Sequence, residues 1–467
     1  MTTVHYRIPF NRPTRTSLDQ SLIAEALASG KLAGDGGFTH RCQAALERML
    51  GVPRALLTTS CTDALEMAAL LANISEGDEV IVPTYTFVSS INAFVLRGAR
   101  PVFADIREDT LGLDERQLPA LEEAVAKVSA VRHAIGCASG TDALLLPLVA
   151  LDLQPGDEVI CPAFTFFATA GTVHNAGGTP VFVDIEPGTF NLAPAAVEAA
   201  ITPRTRAICV VHYAGVACEM DTIMSAARRV GALVIEDNAH GFLGGYRGRL
   251  LGTIGELATL SFHDTKNFTC GEGGALLVND PALIERAEVV REKGTDRKKF
   301  LRGQVDKYGW VDLGSSFLPS EILAAMLAAQ LDEAEAIQSS RGRLWQRYAT
   351  TLAMWATANG VVLPRQDPSH QPSYHMFNLL VPDIPFRNGL FTHLRGRGIQ
   401  AVSHYIPLHL SPMGRRFGGV EGQCPVAERV NELIVRLPFF TGMTEAEQDE
   451  VIEAVTAFTG ARLVQTT

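Results

Sequence analysis

Ser261-Phe262-His263-Asp264-Thr265-Lys266-Asn267, followed by Gly271-Glu272-Gly273-Gly274, is the stretch on which the reading turns. An apolar run, Ala258–Phe262, gives way to a polar turn that presents Lys266. A glycine-rich bend then leads into a second apolar run, Gly274–Val278. About thirty residues upstream, Val234-Ile235-Glu236-Asp237-Asn238-Ala239-His240-Gly241 follows the same plan, with hydrophobic residues running directly into two carboxylates. Short β-branched runs that end in polar residues are the mark of strands in a mainly parallel sheet, whose carboxyl ends carry ligands.

Further runs of this kind are Ala55–Thr59, Glu79–Pro83, Pro101–Asp105, Arg206–His212 and Ala232–Glu236. Amphipathic stretches such as Asp63–Ala72 and Asp221–Val230 lie between them, so the fold class is α/β. From about Pro319 the pattern changes to a long Ala/Leu/Glu-rich helix, Ser320–Ala349, and then to short mixed elements. The expected division is 1–118 as an N-terminal segment with a first repeat, 119–330 as the large domain and 331–467 as a smaller α+β domain.

The repeat is internal and needs no gaps. Ser60-Cys61-Thr62-Asp63-Ala64-Leu65 recurs as Ser139-Gly140-Thr141-Asp142-Ala143-Leu144. Gly77-Asp78-Glu79-Val80-Ile81 recurs as Gly156-Asp157-Glu158-Val159-Ile160, and Pro101-Val102-Phe103-Ala104-Asp105-Ile106 as Pro180-Val181-Phe182-Val183-Asp184-Ile185. A helix-strand-helix-strand-strand unit at about 43–106 therefore occurs again at about 122–185. A single parallel sheet has room for one copy, so the other is expected to pack elsewhere, to swap into a partner or to stay out of the fold. Copy two runs directly into the strand at Arg206 and is the preferred occupant. Copy one keeps its spacing to the N-terminal Gly34-Asp35-Gly36-Gly37 segment.

The 467 residues are 47% hydrophobic and 19% charged, ordinary for a chain with a large core. A formal charge of −11 implies no basic surface for nucleic acid. The eight cysteines include no C-x-x-C pair and no zinc spacing, so no metal site is expected. No apolar run reaches the ~20 residues that span a bilayer, and the N-terminus lacks a signal-peptide layout. The expected location is the cytoplasm.

A lysine after a strand is usually a solvated side chain, and an acid at a strand end is often a helix cap. Together they also suit an aldehyde cofactor with a cationic ring nitrogen, captured by the amine and faced by the carboxylate. Ser-x-Thr at a helix start adds N–H groups and hydroxyls for a phosphate. With Val211-His212-Tyr213-Ala214-Gly215-Val216-Ala217-Cys218-Glu219-Met220-Asp221, Gly303-Gln304-Val305-Asp306-Lys307-Tyr308 and His404-Tyr405-Ile406-Pro407-Leu408-His409, this constellation resembles the DegT-type nucleotide-sugar aminotransferases, fold-type I pyridoxal-phosphate enzymes.

The resemblance implies roles. Lys266 would hold the cofactor's aldehyde and shuttle the proton. Asp237 would pair with the ring nitrogen, and His240 would stand where many relatives have Gln. Ser261 and one Ser-x-Thr loop, Ser139-Gly140-Thr141 or Ser60-Cys61-Thr62, would hold the phosphate. Phe166 or Phe87 would stack on the ring. His212, Tyr213, Lys307, Tyr308, His404 and Tyr405 are candidates for the sugar-nucleotide pocket or, equally, packed polar residues. Gly314-Ser315-Ser316 falls where many relatives carry an Asn. The expected partners are a 4-keto-6-deoxy sugar nucleotide, glutamate and a second copy of the chain, in cell-surface polysaccharide or common-antigen synthesis. A dehydratase of the same family would replace the lysine by His, and Lys266 argues against it. A chain impaired by its duplication, or one that binds cofactor as a regulator, is the other reading.

Overall fold

The computed structural model describes residues 7–29, 36–72, 74, 79–86, 93–94, 97, 99–104, 106–108, 157–165, 173, 179–185, 188–200, 202, 204–292, 294–312, 317–365, 367–416 and 418–459. Nine strands form one sheet: β1 (Ala55–Thr58), β2 (Glu79–Thr86), β3 (Arg100–Ala104), β4 (Glu158–Thr165), β5 (Thr179–Val183), β6 (Thr205–Val211), β7 (Leu233–Asp237), β8 (Leu257–Ser261) and β9 (Gly274–Val278). Their order is β1-β9-β8-β7-β6-β2-β3-β4-β5. Only β9 runs antiparallel to its neighbours, β1 and β8; β8 through β5 pair in parallel. Each apolar run read as a strand is a strand here.

Alternation of side chains divides the sheet into two faces. On β6 and β7, Ile208, Val210 and Val234 pack with helix α4 (Met220–Val230) in one core. Ala207, Cys209 and Ile235 pack in the other, which also holds helix α3 (Cys61–Leu71) and its residues Ala64, Leu65 and Ala68. The same alternation points Glu236 and Asp237 in opposite directions. Asp237 faces the side where α3 begins.

Glu236 ends in a closed polar network. Its carboxylate accepts from the backbone N–H groups of Gly252, Ile254 and Gly255 at 2.8, 2.7 and 2.6 Å, and lies 2.9 Å from Nε2 of His212. Burial alone would raise its pKa; the imidazole and backbone donors outweigh burial and lower it. Glu236→Ala leaves three buried donors and an imidazole unpaired. It is expected to cost about 3–5 kcal/mol of stability, read as a fall in the urea midpoint at unchanged slope. A loss under 1 kcal/mol would show that the network is dispensable.

The two repeat copies meet in this sheet, contrary to the expectation that one would pack elsewhere. Their equivalent strands β2 and β4 address the same edge of β6: Glu79 and Glu158 both pair with Thr205. They also lie side by side, with Thr84 opposite Ala163 and Thr86 opposite Thr165. Strands β1 to β3 belong to the large sheet. One strand edge bonds one neighbour in register, so the copies offer one place two occupants of matching pattern. A chain lacking residues 85–163, which joins Thr84 to Phe164, is expected to fold with a Tm within about 5 °C of the full chain's, a shift of about 4 kcal/mol for a chain of this length. An insoluble or non-cooperative product would show that both copies are needed.

Ser320 caps helix α5 (Glu321–Asp332), which stops at Glu333; helix α6 (Ala334–Thr351) then begins. The single helix expected over Ser320–Ala349 is thus two. A C-terminal lobe follows, with helices α7 (Ile384–Gly396) and α8 (Glu445–Thr456) and an antiparallel pair in which Asn378–Leu380 faces Ile434–Arg436. The N-terminal segment is strapped to this lobe: Ile8 N–H donates to Gly398 O at 3.1 Å, and Arg436 lies 4.7 Å from the Phe10 ring centre.

Candidate active site

Asp237 is the last residue of β7, and Lys266 lies five residues beyond β8, its parallel neighbour. The pairing of Thr259 with Asp237 fixes how the two strand ends sit together. A turn closed by Lys266 N–H donating to His263 O at 3.0 Å brings the lysine back over the sheet. Lys266 is half-buried; Asp237 is buried, and its Oδ1 accepts only from Ala239 N–H, at 3.1 Å, among the described residues.

The two groups sense each other's charge. Burial pushes the Asp237 carboxyl up to about 7, against the pull of Ala239 N–H and Lys266. Burial brings the Lys266 amine down to about 8, against the pull of Cys61 and Asp237, with Arg436 acting in the same direction as burial. A carboxylate this poorly solvated gains from a further cation, and an amine this acidic is readily freed as a nucleophile.

The pH consequence for the cofactor-free protein follows in sign. An unfolded Asp ionises near pH 4, the native Asp237 only near 7. Stability from this group is full below about 4 and is lost as the pH rises to 7. Between pH 4.5 and 7, the wild type is expected to lose more Tm than Asp237→Asn does, in scanning calorimetry. Parallel Tm profiles would refute the raised pKa.

The start of α3 closes the site from below. Ser60 caps the helix, its Oγ accepting from Asp63 N–H at 3.1 Å. Cys61 Sγ lies 3.4 Å from Thr259 Oγ1, and Thr62 is buried beside it. A Cβ on Gly274 would stand 1.9 Å from Ser60 O, so only glycine lets this loop approach β9. The Ser60-Cys61-Thr62 loop of copy one therefore stands at the site. Ser139, Gly140, Thr141, Phe166 and Phe87 lie outside the described residues.

On the opposite wall His240 stacks on His375, ring centres 4.2 Å apart and planes within 15°. His404 stands 6.5 Å from His240, and the Tyr213 hydroxyl bonds His404 Nδ1. Tyr405 packs on His404 with ring centres 3.6 Å apart. Burial holds all three histidines well below their usual pKa, with the charges of Lys266 and Arg436 adding to it. His240 Nδ1 is buried without a hydrogen-bond partner. A small cleft lined by Ala239, His240, Ser261, Lys266 and Asn267 opens between these walls.

Of the residues singled out from sequence, the structure brings together Lys266, Asp237, His240, Ser261, Ser60, Cys61, Thr62, Tyr213, His404 and Tyr405. His212 is not among them: its ring serves the Glu236 network, with Nδ1 accepting from Cys218 N–H at 3.2 Å. Lys307 and Tyr308 are exposed, the tyrosine by 53%. Sequence reading missed Asn267, His375 and Arg436. Asn267 stands next to Lys266 in the chain and accepts at Oδ1 from His375 Nδ1, 2.9 Å away. His375 and Arg436 carry no motif and reach the site only through the C-terminal lobe.

The profile of the DegT/DnrJ/EryC1/StrS aminotransferase family matches residues 13–121 and again 115–456. The chain belongs to this family. It is 38% identical over 340 residues to the pleiotropic regulatory protein of Geobacillus stearothermophilus, covering 72% of this chain and 88% of that one. It is 36% identical over 342 residues to the GDP-perosamine synthase of Caulobacter vibrioides, covering 73% and 89%. Among solved structures, S. venezuelae DesV superposes with a TM-score of 0.71 at 27% identity over 97% of this chain and 99% of its own. This aminotransferase works on nucleotide sugars, and its cofactor is pyridoxal 5′-phosphate. The buried Asp237 carboxylate with its single backbone donor, the His240 Nδ1 without a hydrogen-bond partner among the described residues and the glycine-shaped approach of the α3 start fit that group. No helix among the described residues is long and apolar enough to cross a membrane.

Proposed function

We propose that this aminotransferase moves an amino group from glutamate to a 4-keto-6-deoxy sugar carried on dTDP, in the cytoplasm, for cell-surface polysaccharide synthesis. The observation that carries the reading is the Lys266–Asp237 pair at the ends of adjacent parallel strands, each shifted toward neutrality by the same burial. Pyridoxal phosphate, when bound, supplies an aldehyde that captures amino nitrogen and a ring that withdraws electrons. Lys266 would hold that aldehyde and carry the proton between donor and acceptor carbons. Asp237 would pair with the ring nitrogen, and His240 would lie beside the ring. Ser261 and the Ser60-Cys61-Thr62 turn would hold the phosphate.

Tyr213, His404 and Tyr405 then form the acceptor's wall. Their neutral rings suit an uncharged sugar better than a second cation would. Arg436 is the guanidinium whose field reaches Lys266, His240 and His404, and it is assigned to the donor's carboxylate. A homodimer belongs to the same reading. Phe300, Leu301, Tyr308, Trp310 and Val311 are exposed together around Lys307, Trp310 by 80%, an apolar patch of the kind that subunits cover. Residues 331–467 are assigned as the small domain.

The test is incubation of the purified protein with pyridoxal phosphate, glutamate and a panel of keto-sugar nucleotides, with mass analysis of the products. Amination of the dTDP-linked 4-keto sugar is the expected result. Amination only of a GDP- or UDP-linked sugar would overturn the assignment of substrate. No product with any of them would favour a regulatory chain.

A further inference from the structure

Behind the active site lies a second cavity of about 410 Å³, lined by Trp345, Gln346, Arg365, His370, Pro372 and Tyr374 among others. None of the residues assigned above to cofactor or sugar lines it. Its size is that of a small-molecule site, and we propose that it binds a neutral saccharide.

Two independent features mark it as built. The first is His370. Its side chain is only 6% exposed, yet among the described residues neither ring nitrogen has a hydrogen bond; the nearest carboxylate oxygen, on Glu219, is 3.6 Å from Nε2. A buried imidazole without partners is costly. A neutral ring has one donor and one acceptor nitrogen, and a hydroxyl is the group that serves either.

The second is Tyr374, held at φ +55°, where a bulky residue is strained. Buried Arg341 pins this turn, donating from Nε to Tyr374 O at 2.9 Å and from Nη2 to His375 O at 2.6 Å. The strain turns the phenol ring out to the cavity, 5.9 Å from Trp345. Its neighbours keep the other side: the Ser373 hydroxyl bonds His240 O, Ser373 O accepts from Asn267 at 2.8 Å, and His375 stacks on His240.

The charge pattern selects the ligand. Arg365 is paired with Asp367 at 2.9 Å, and Glu219 with Arg247 at 3.6 Å, so the charges around the cavity are matched in sign and leave a donor and an acceptor with no net charge. An anion gains little there, and a cation likewise. Aromatic and proline faces beside planar polar groups suit the C–H faces and hydroxyls of a sugar ring.

The experiment is tryptophan fluorescence of the holoenzyme titrated with free glucose and with N-acetylglucosamine, with thymidine as a planar contrast. Saturable quenching by either sugar is expected. His370→Phe keeps the ring and removes its hydrogen bonds; Tyr374→Asn suits positive φ and removes the platform. Each is expected to weaken binding at least about tenfold, while Lys266→Ala binds the sugar as the wild type does. The proposal fails if neither sugar quenches, if only thymidine does, if both cavity variants bind normally, or if Lys266→Ala abolishes binding. Because binding is read without turnover, a failure here is distinct from a failure of the assigned reaction.

Discussion

Lys266→Ala is expected to lower kcat/KM by at least about 10⁴-fold, the combined loss of a covalent anchor and a positioned proton carrier. Fold is not at stake. Lys266 is half-buried, and its backbone bond to His263 O survives the substitution. The ammonium lies within the fields of both Asp237, which attracts it, and Arg436, which repels it, so the two effects of its removal oppose each other. Lys266→Arg is expected to do no better, because a guanidinium stays protonated at every working pH. Single-turnover assay with glutamate, read by mass analysis of the keto acid released, checks this directly. Activity within tenfold of the wild type would mean that another amine does the work.

Asp237→Asn comes next in size, at about 10²–10³-fold in kcat/KM. That corresponds to roughly 3–4 kcal/mol, within the range lost when one partner of a buried charge pair is removed. The amide can still accept from Ala239 N–H, so the turn after β7 is kept. What is lost is the negative charge that would face a cationic ring. Without a bound cation the carboxyl is pushed up to about 7; with one it is held ionised. The substitution should therefore act on turnover more than on sugar affinity. A fall in sugar affinity at unchanged kcat would place Asp237 in the sugar pocket instead.

Both predictions rest on residues that were legible in the chain. Apolar runs ending in Glu236-Asp237 and in Ser261 predict strand ends, and strand ends of a parallel sheet share one rim. Period-2 alternation even separates Glu236 from Asp237. Other assignments were not decidable from order alone. His212 stands beside Tyr213 in the chain but turns to Glu236, because a rotation of one residue reverses a side chain's face. His375 and Arg436 arrive from the C-terminal lobe, far along the chain, with no spacing to announce them.

The repeat shows the same limit. Equal patterns make equal claims on the edge of β6, and Glu79 and Glu158 both answer to Thr205. The preference for the Ser139 turn rested on chain continuity. What brings the Ser60 turn against β9 is packing, because Gly274 leaves room for it there.

The sequence by itself determined the α/β sheet, the lysine and the acid, since periodicity and local polarity are written residue by residue. Which loop reaches the phosphate side, which histidines stack and which tyrosine is strained were decided only by tertiary structure, because those depend on distances between segments far apart in the chain, set by close packing of the whole core.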